Sequence, residues 1–143
     1  MSPGSQNVLS ISPIPEDHLA LDAIMGQFEW NLFKAHFLPA ALAVLPTLEI
    51  AVIVCERDLL PGAWTDLLEH LKHLPHPPAL IVTSTHADEQ LWAQALNLGA
   101  WDVLAKPFDR TEVLRTIGLA WHHWHNQRHF AGAGTLPEKS GPS

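Results

Sequence analysis

Four side chains able to do chemistry stand where apolar runs of this chain stop. Ser12 and Ser84 end the runs 8–12 and 79–84, Glu56 directly follows 50–55, and Lys106 directly follows 101–105. A lysine held between an apolar run and a proline presents one cation at the exit of a buried strand. A carboxylate converging on it should pair with it, because a partly buried charge without a partner is costly. The expected arrangement is therefore a Glu56–Lys106 pair with Ser84 nearby; the plainer alternative is a solvated Glu56 at a strand end. The Lys106–Pro107 bond is also a candidate for the cis isomer, which the tertiary amide of proline makes accessible.

Other reactive residues invite weaker readings. Cys55 ends a continuous apolar strand, where cysteine is usually inert, and no histidine is placed in sequence to activate it. His122, His125 and His129 recur at spacings of three and four on the last helix and could share a metal, but histidine near a helix C-terminus is also favoured by the dipole. His70, His73 and His76 surround Pro75, whose prolines break any helical register, so a solvated loop accounts for them better. Six tryptophans are many for 143 residues. Trp64, Trp121 and Trp124 fit core stripes, whereas Trp92 and Trp101 fall off them and are candidates for an interface, where aromatic residues are enriched.

These positions need a scaffold. The runs 8–12, 50–55, 79–84 and 101–105 read as strands, three of them near-continuously apolar as in a parallel sheet covered on both faces. A mixed run over 30–35 reads as an edge strand. Between them, Trp64, Leu67, Leu68 and Leu71 recur at helical spacing, as do Leu91, Ala95 and Leu98, and Val113, Ile117, Ala120, Trp121 and Trp124. Pro15 opens a helix carrying Leu21, Ile24 and Met25, with Gly26 as its terminator, and Pro39 opens a short one ending before Pro46. Strand and helix alternate five times, which builds a doubly wound α/β sheet whose functional groups gather at the carboxyl edge.

Composition narrows the function classes. One domain is expected for 143 residues that are 47% hydrophobic. Eight Lys and Arg against 15 Asp and Glu leave no basic stripe for nucleic acid. No apolar run approaches the roughly 20 residues that span a bilayer, and the first residues lack the regions of a signal peptide, so a cytoplasmic protein with no membrane partner is expected. A single cysteine agrees with a reducing compartment.

The four strand ends, with Leu98-Gly99-Ala100 and Lys106-Pro107-Phe108, make residues 8–124 resemble a response-regulator receiver domain of two-component signalling. The resemblance implies a flavodoxin-like (βα)5 fold with a five-stranded parallel sheet in the order 2-1-3-4-5. Outside it, residues 1–7 are expected to be a flexible N-terminus and 125–143 the end of the last helix and a tail that, rich in Gly, Pro and Ser from Ala131, should be disordered. Relatives carry a phosphate-accepting aspartate after the third strand, where this chain has Glu56; counting back from Pro61 alone would select Arg57. They carry a magnesium-binding acidic pair after the first strand, where this chain has Ser12 and Pro13. Ser84 matches the hydroxyl that bonds the phosphoryl group and Lys106 the lysine that pairs with it. The aromatic switch position falls on Val103.

Magnesium takes hard oxygen ligands, and a proline offers no side-chain donor. Weak or absent magnesium binding, and no other cofactor, is therefore expected. The expected function is a stand-alone, degenerate receiver without enzymatic activity, working by protein interaction or self-association. Its surface would be the face of the fourth helix, fifth strand and fifth helix, with Trp92 and Trp101 on or near it. Two alternatives stand beside it: a phosphorylatable receiver using Asp58 or Glu56 with a weak metal site, and a flavodoxin-like small-molecule binder or enzyme. The last lacks a glycine-rich phosphate loop after its first strand.

Overall fold

The computed structural model describes residues 6–26 and 28–133, with side chains described through residue 127. Ten elements alternate: β1 (Asn7–Ile11), α1 (Pro15–Met25), β2 (Asn31–Ala35), α2 (Leu38–Val44), β3 (Val52–Glu56), α3 (Trp64–Leu71), β4 (Ala79–Ser84), α4 (Glu89–Leu98), β5 (Asp102–Ala105) and α5 (Arg110–Ala133). All strands pair in parallel, in the order β2-β1-β3-β4-β5. This is the flavodoxin-like (βα)5 sheet.

The apolar strands are continuous because helices cover both faces, and successive side chains alternate between two layers. Along β3, Ile53 and Cys55 pack with Leu67 and Leu71 of α3 and with Leu91 and Ala95 of α4. Val52 and Val54 face the other way, toward Leu21 and Met25 of α1 and Val113 and Ile117 of α5. Each buried aliphatic side chain contributes about 2 kcal/mol. Slipping β3 by one residue would exchange every such contact, so its register is firmly held.

Element boundaries differ in places from the sequence expectation. β1 starts at Asn7, inside the segment expected to be flexible, because Asn7 pairs with Asn31. It stops at Ile11, and Ser12 instead sends its backbone N–H to the Ala35 carbonyl. β3 runs through Glu56, which pairs with Thr83 of β4. Gly26 follows α1 in a right-handed conformation, φ −65°, so it ends the helix without the left-handed turn typical of a glycine terminator. Gly99 does make that turn: at φ 114° it closes α4, and the N–H groups of Gly99 and Ala100 both reach the Ala95 carbonyl. α5 continues to Ala133, beyond the expected domain end at 124 and into the start of the expected tail. The rest of that tail, and residues 1–5, lie outside the described residues. No helix among the described residues is long and apolar enough to cross a membrane.

Candidate functional site

The carboxyl edge of the sheet gathers the residues singled out in the sequence. Ser12 follows β1, Glu56 ends β3, Ser84 ends β4, and all three are buried. Lys106 follows β5 with its backbone N–H on the Ser84 carbonyl, and the Lys106–Pro107 bond is cis. Half-buried Pro13 carries the chain from Ser12 toward α1.

The lysine meets two carboxylates. Its Nζ donates to Glu56 Oε1 and, at 2.8 Å, to Oδ2 of Asp17. Only 7% of the Lys106 side chain is exposed, and 7% and 11% of those of Glu56 and Asp17. Burial on its own would push the lysine down. Hydrogen bonds and attraction from Asp17 and Glu56 outweigh it and hold the ammonium above its ordinary value.

Each carboxylate has further partners. Glu56 Oε2 accepts the Asp58 backbone N–H at 2.9 Å, and Asp17 Oδ2 accepts the Ser12 hydroxyl at 2.6 Å. Ser12 Oγ accepts in turn from the Ile14 N–H. His18 extends the network: its Nε2 lies 2.9 Å from the Ser12 carbonyl oxygen and its Nδ1 2.9 Å from Ser10 Oγ. A carbonyl only accepts, so Nε2 carries the proton and Nδ1 accepts from the Ser10 hydroxyl. Burial, ahead of the nearby His36 and Lys34, holds His18 below its ordinary value despite the Ser12 bond and the Asp17 charge. The His36 ring stands edge-on to it at 4.7 Å.

Two side chains stand apart from this network. The Ser84 hydroxyl oxygen accepts from the His86 N–H at 2.9 Å, closing the turn after β4. Asp58 is two-thirds exposed and paired with Arg57, Nη2 to Oδ2 at 3.0 Å. Val103 is buried among the layer that includes Val82 and Leu91. Cys55 is fully buried, and burial, then the Glu56 charge, drives its thiol far up, away from a nucleophilic thiolate.

Asp17, His18 and Ser10 had no place in the sequence reading. A signal existed: Asp17 and His18 lie four and three residues before Leu21, on the stripe of α1 that turns inward. On α5, His122 and His125 flank the Trp121 ring at 5.2 and 4.7 Å, and the His129 side chain lies outside the described residues. Among the described residues no three His, Cys, Asp or Glu side chains are grouped to hold a metal. Trp92 is 47% exposed on α4, whereas Trp101 is half-buried and stacked on His123 at 4.6 Å.

A parallel sheet in the order 2-1-3-4-5 with a lysine, an acid and a hydroxyl residue at its carboxyl edge defines a class of signalling module. The chain belongs to the response regulator receiver domain family, whose model matches residues 17–118. It is thus a receiver domain of two-component signalling. A signal receiver domain of an HD domain-containing protein from Pseudomonas fluorescens Pf-5 has a similar fold, with a TM-score of 0.79 and 22% identity over 90% of this chain and 97% of that one. Full-length FixJ from B. japonicum superposes with a TM-score of 0.78 and 21% identity, over 90% of this chain and 63% of that one. In sequence, the chain is 37% identical over 57 residues to a protein-glutamate methylesterase/protein-glutamine glutaminase of Desulfotalea psychrophila. That match spans 38% of this chain and only 16% of the relative's length.

Proposed function

We propose that this receiver holds one conformation without phosphoryl transfer and acts in the cytoplasm by binding another protein or a second copy of itself. The observation that carries the reading is the Lys106 ammonium lying between the Asp17 and Glu56 carboxylates. Phosphoryl transfer to a carboxylate builds charge that a metal normally neutralises. Here the positions after β1 that hold acids in relatives are Ser12 and Pro13, and the Ser12 hydroxyl is spent on Asp17. The two carboxylates that remain share the one lysine between them, so magnesium would have to displace an ammonium to gain both. These residues fit the metal poorly, and weak or absent binding is expected. The reading gives the chain no catalytic role.

Glu56 has one oxygen on Lys106 and the other on the Asp58 N–H, and each bond draws electron density from the carboxylate and lowers its nucleophilicity. A phosphorylatable receiver using Asp58 draws support from the exposure of that side chain, but its carboxylate is turned to Arg57. For the partner surface, Trp92 and Leu96 stand one turn apart on α4 and are both exposed, and Leu119 is exposed on α5. Trp101 contributes less, being packed against α5.

Titrating the full chain with magnesium and beryllofluoride, followed by amide NMR, tests the proposal. No saturable shift is expected at Glu56, Asp58 or Ser84. A saturable shift centred on Glu56 or Asp58, or a phosphorylated product after incubation with a small phosphodonor, overturns it.

A further inference from the structure

On α4 the exposed indole of Trp92 walls a groove of about 310 Å³, whose other sides are Ala87, Ala93 and the exposed acids Asp88 and Glu89. We propose that this groove takes an arginine or lysine side chain of a partner protein, while an aliphatic side chain of the same partner segment lies on Leu96. The inference rests on the partner-binding reading above and gives that partner its chemistry.

Helix spacing puts these residues on one face. Asp88 and Glu89 precede Trp92 by four and three positions and Leu96 follows it by four, so the stripe runs acid, indole, aliphatic over about 10 Å. An indole face attracts a cation, and a guanidinium also stacks on it. The long stem of such a side chain can lie along the small apolar walls at Ala87 and Ala93.

Charge sets the sign of the occupant. Asp88 caps α4, its Oδ1 accepting the Leu91 N–H at 2.9 Å. The start of a helix carries about half a positive charge, which two full carboxylate charges outweigh. Arg57 also feels Asp88, but its guanidinium is bonded to Asp58 at 3.0 Å. Three acids thus face one arginine that is already paired. An acidic partner would be repelled, and a wholly apolar one would take the acids out of water without replacing their hydrogen bonds.

The test is amide NMR on the full chain with two helical probe peptides of alanine and glutamine. One carries leucine and arginine seven residues apart, and the other has citrulline, a neutral isostere, in place of the arginine. The arginine peptide should give saturable shifts at Trp92, Ala93 and Leu96, leave Lys106 unmoved, and bind about tenfold more tightly than the citrulline peptide. Trp92→Ala should abolish these shifts, and Glu89→Gln should shrink the preference for arginine in a protein whose spectrum is otherwise unchanged. Equal binding of the two peptides overturns the basic partner while leaving the face as a partner surface. The proposal also falls if neither peptide shifts this face, if Glu89→Gln keeps the preference intact, or if the same residues shift with protein concentration alone, which would assign the face to a second copy.

Discussion

At the carboxyl edge of the sheet an ammonium and two carboxylates are buried together, tied by serine hydroxyls and a neutral imidazole. At the amino edge the same strands begin against prolines and indoles, around two cavities that share Pro75, Pro78 and Trp124 and whose described linings contain Glu49 but no other Asp, Glu, Lys or Arg. The difference follows from the direction of the helices. In a parallel α/β sheet every helix starts near the carboxyl edge, and its exposed N–H groups favour acids there: Asp17 on α1, Asp66 on α3, Glu89 on α4 and Glu112 on α5 all lie in first turns. Helix ends face the other way, and α3 has His70 in its last turn. Charge placement in this molecule is thus largely a consequence of topology, and the two edges should respond to different perturbations.

The sharpest break is Lys106→Met. It leaves Asp17 and Glu56 facing each other in a buried site and should cost about 3 kcal/mol in urea unfolding at neutral pH. A loss below about 1 kcal/mol would mean that the triad is solvated and that the two edges are less unlike than their contacts suggest. At the amino edge, Gly99→Ala forces a side chain into φ 114° with no neighbour in its way. It should cost about 1–2 kcal/mol through the backbone alone, by the same amount at acid and neutral pH; a pH-dependent cost would break the contrast.

A smaller effect separates the edges by acid. His18 is held below its ordinary value of 6.5, so the unfolded chain takes up its proton first as pH falls. Its contribution to stability is complete above that value and is lost as pH falls through the folded-state pKa. Unfolding free energies measured from neutral to mildly acidic pH should decline along this course, and His18→Gln should flatten the decline. An unchanged slope in the variant would assign the acid response to other groups.

Much of the molecule was legible in the chain. The runs at 50–55 and 79–84 name their own strands because parallel strands are apolar on both faces, and Lys106, Glu56 and Ser84 are marked simply by following such runs. Asp17 was harder to see. It sits in a polar stretch, Pro15-Glu16-Asp17-His18, whose neighbour Glu16 is exposed, and only the helical phase set by Leu21 distinguishes the two acids. The Ser84 position was readable while its use was not, since whether a hydroxyl faces a lysine or caps the next turn is decided by one rotamer. The cavities at the amino edge were invisible for a related reason: they depend on how the proline loop settles against Trp124, and no periodicity records it.

The bond from Lys106 to Asp17 joins residues 89 positions apart, the first helix to the segment after the last strand. Such a closure carries little local reward and cannot form until β5 has docked beside β4, so it belongs to the late, native side of the folding barrier. The clasp then acts mainly as a brake on opening. In stopped-flow measurements, Lys106→Met should speed unfolding far more than it slows folding; the reverse would put the clasp in the folding nucleus.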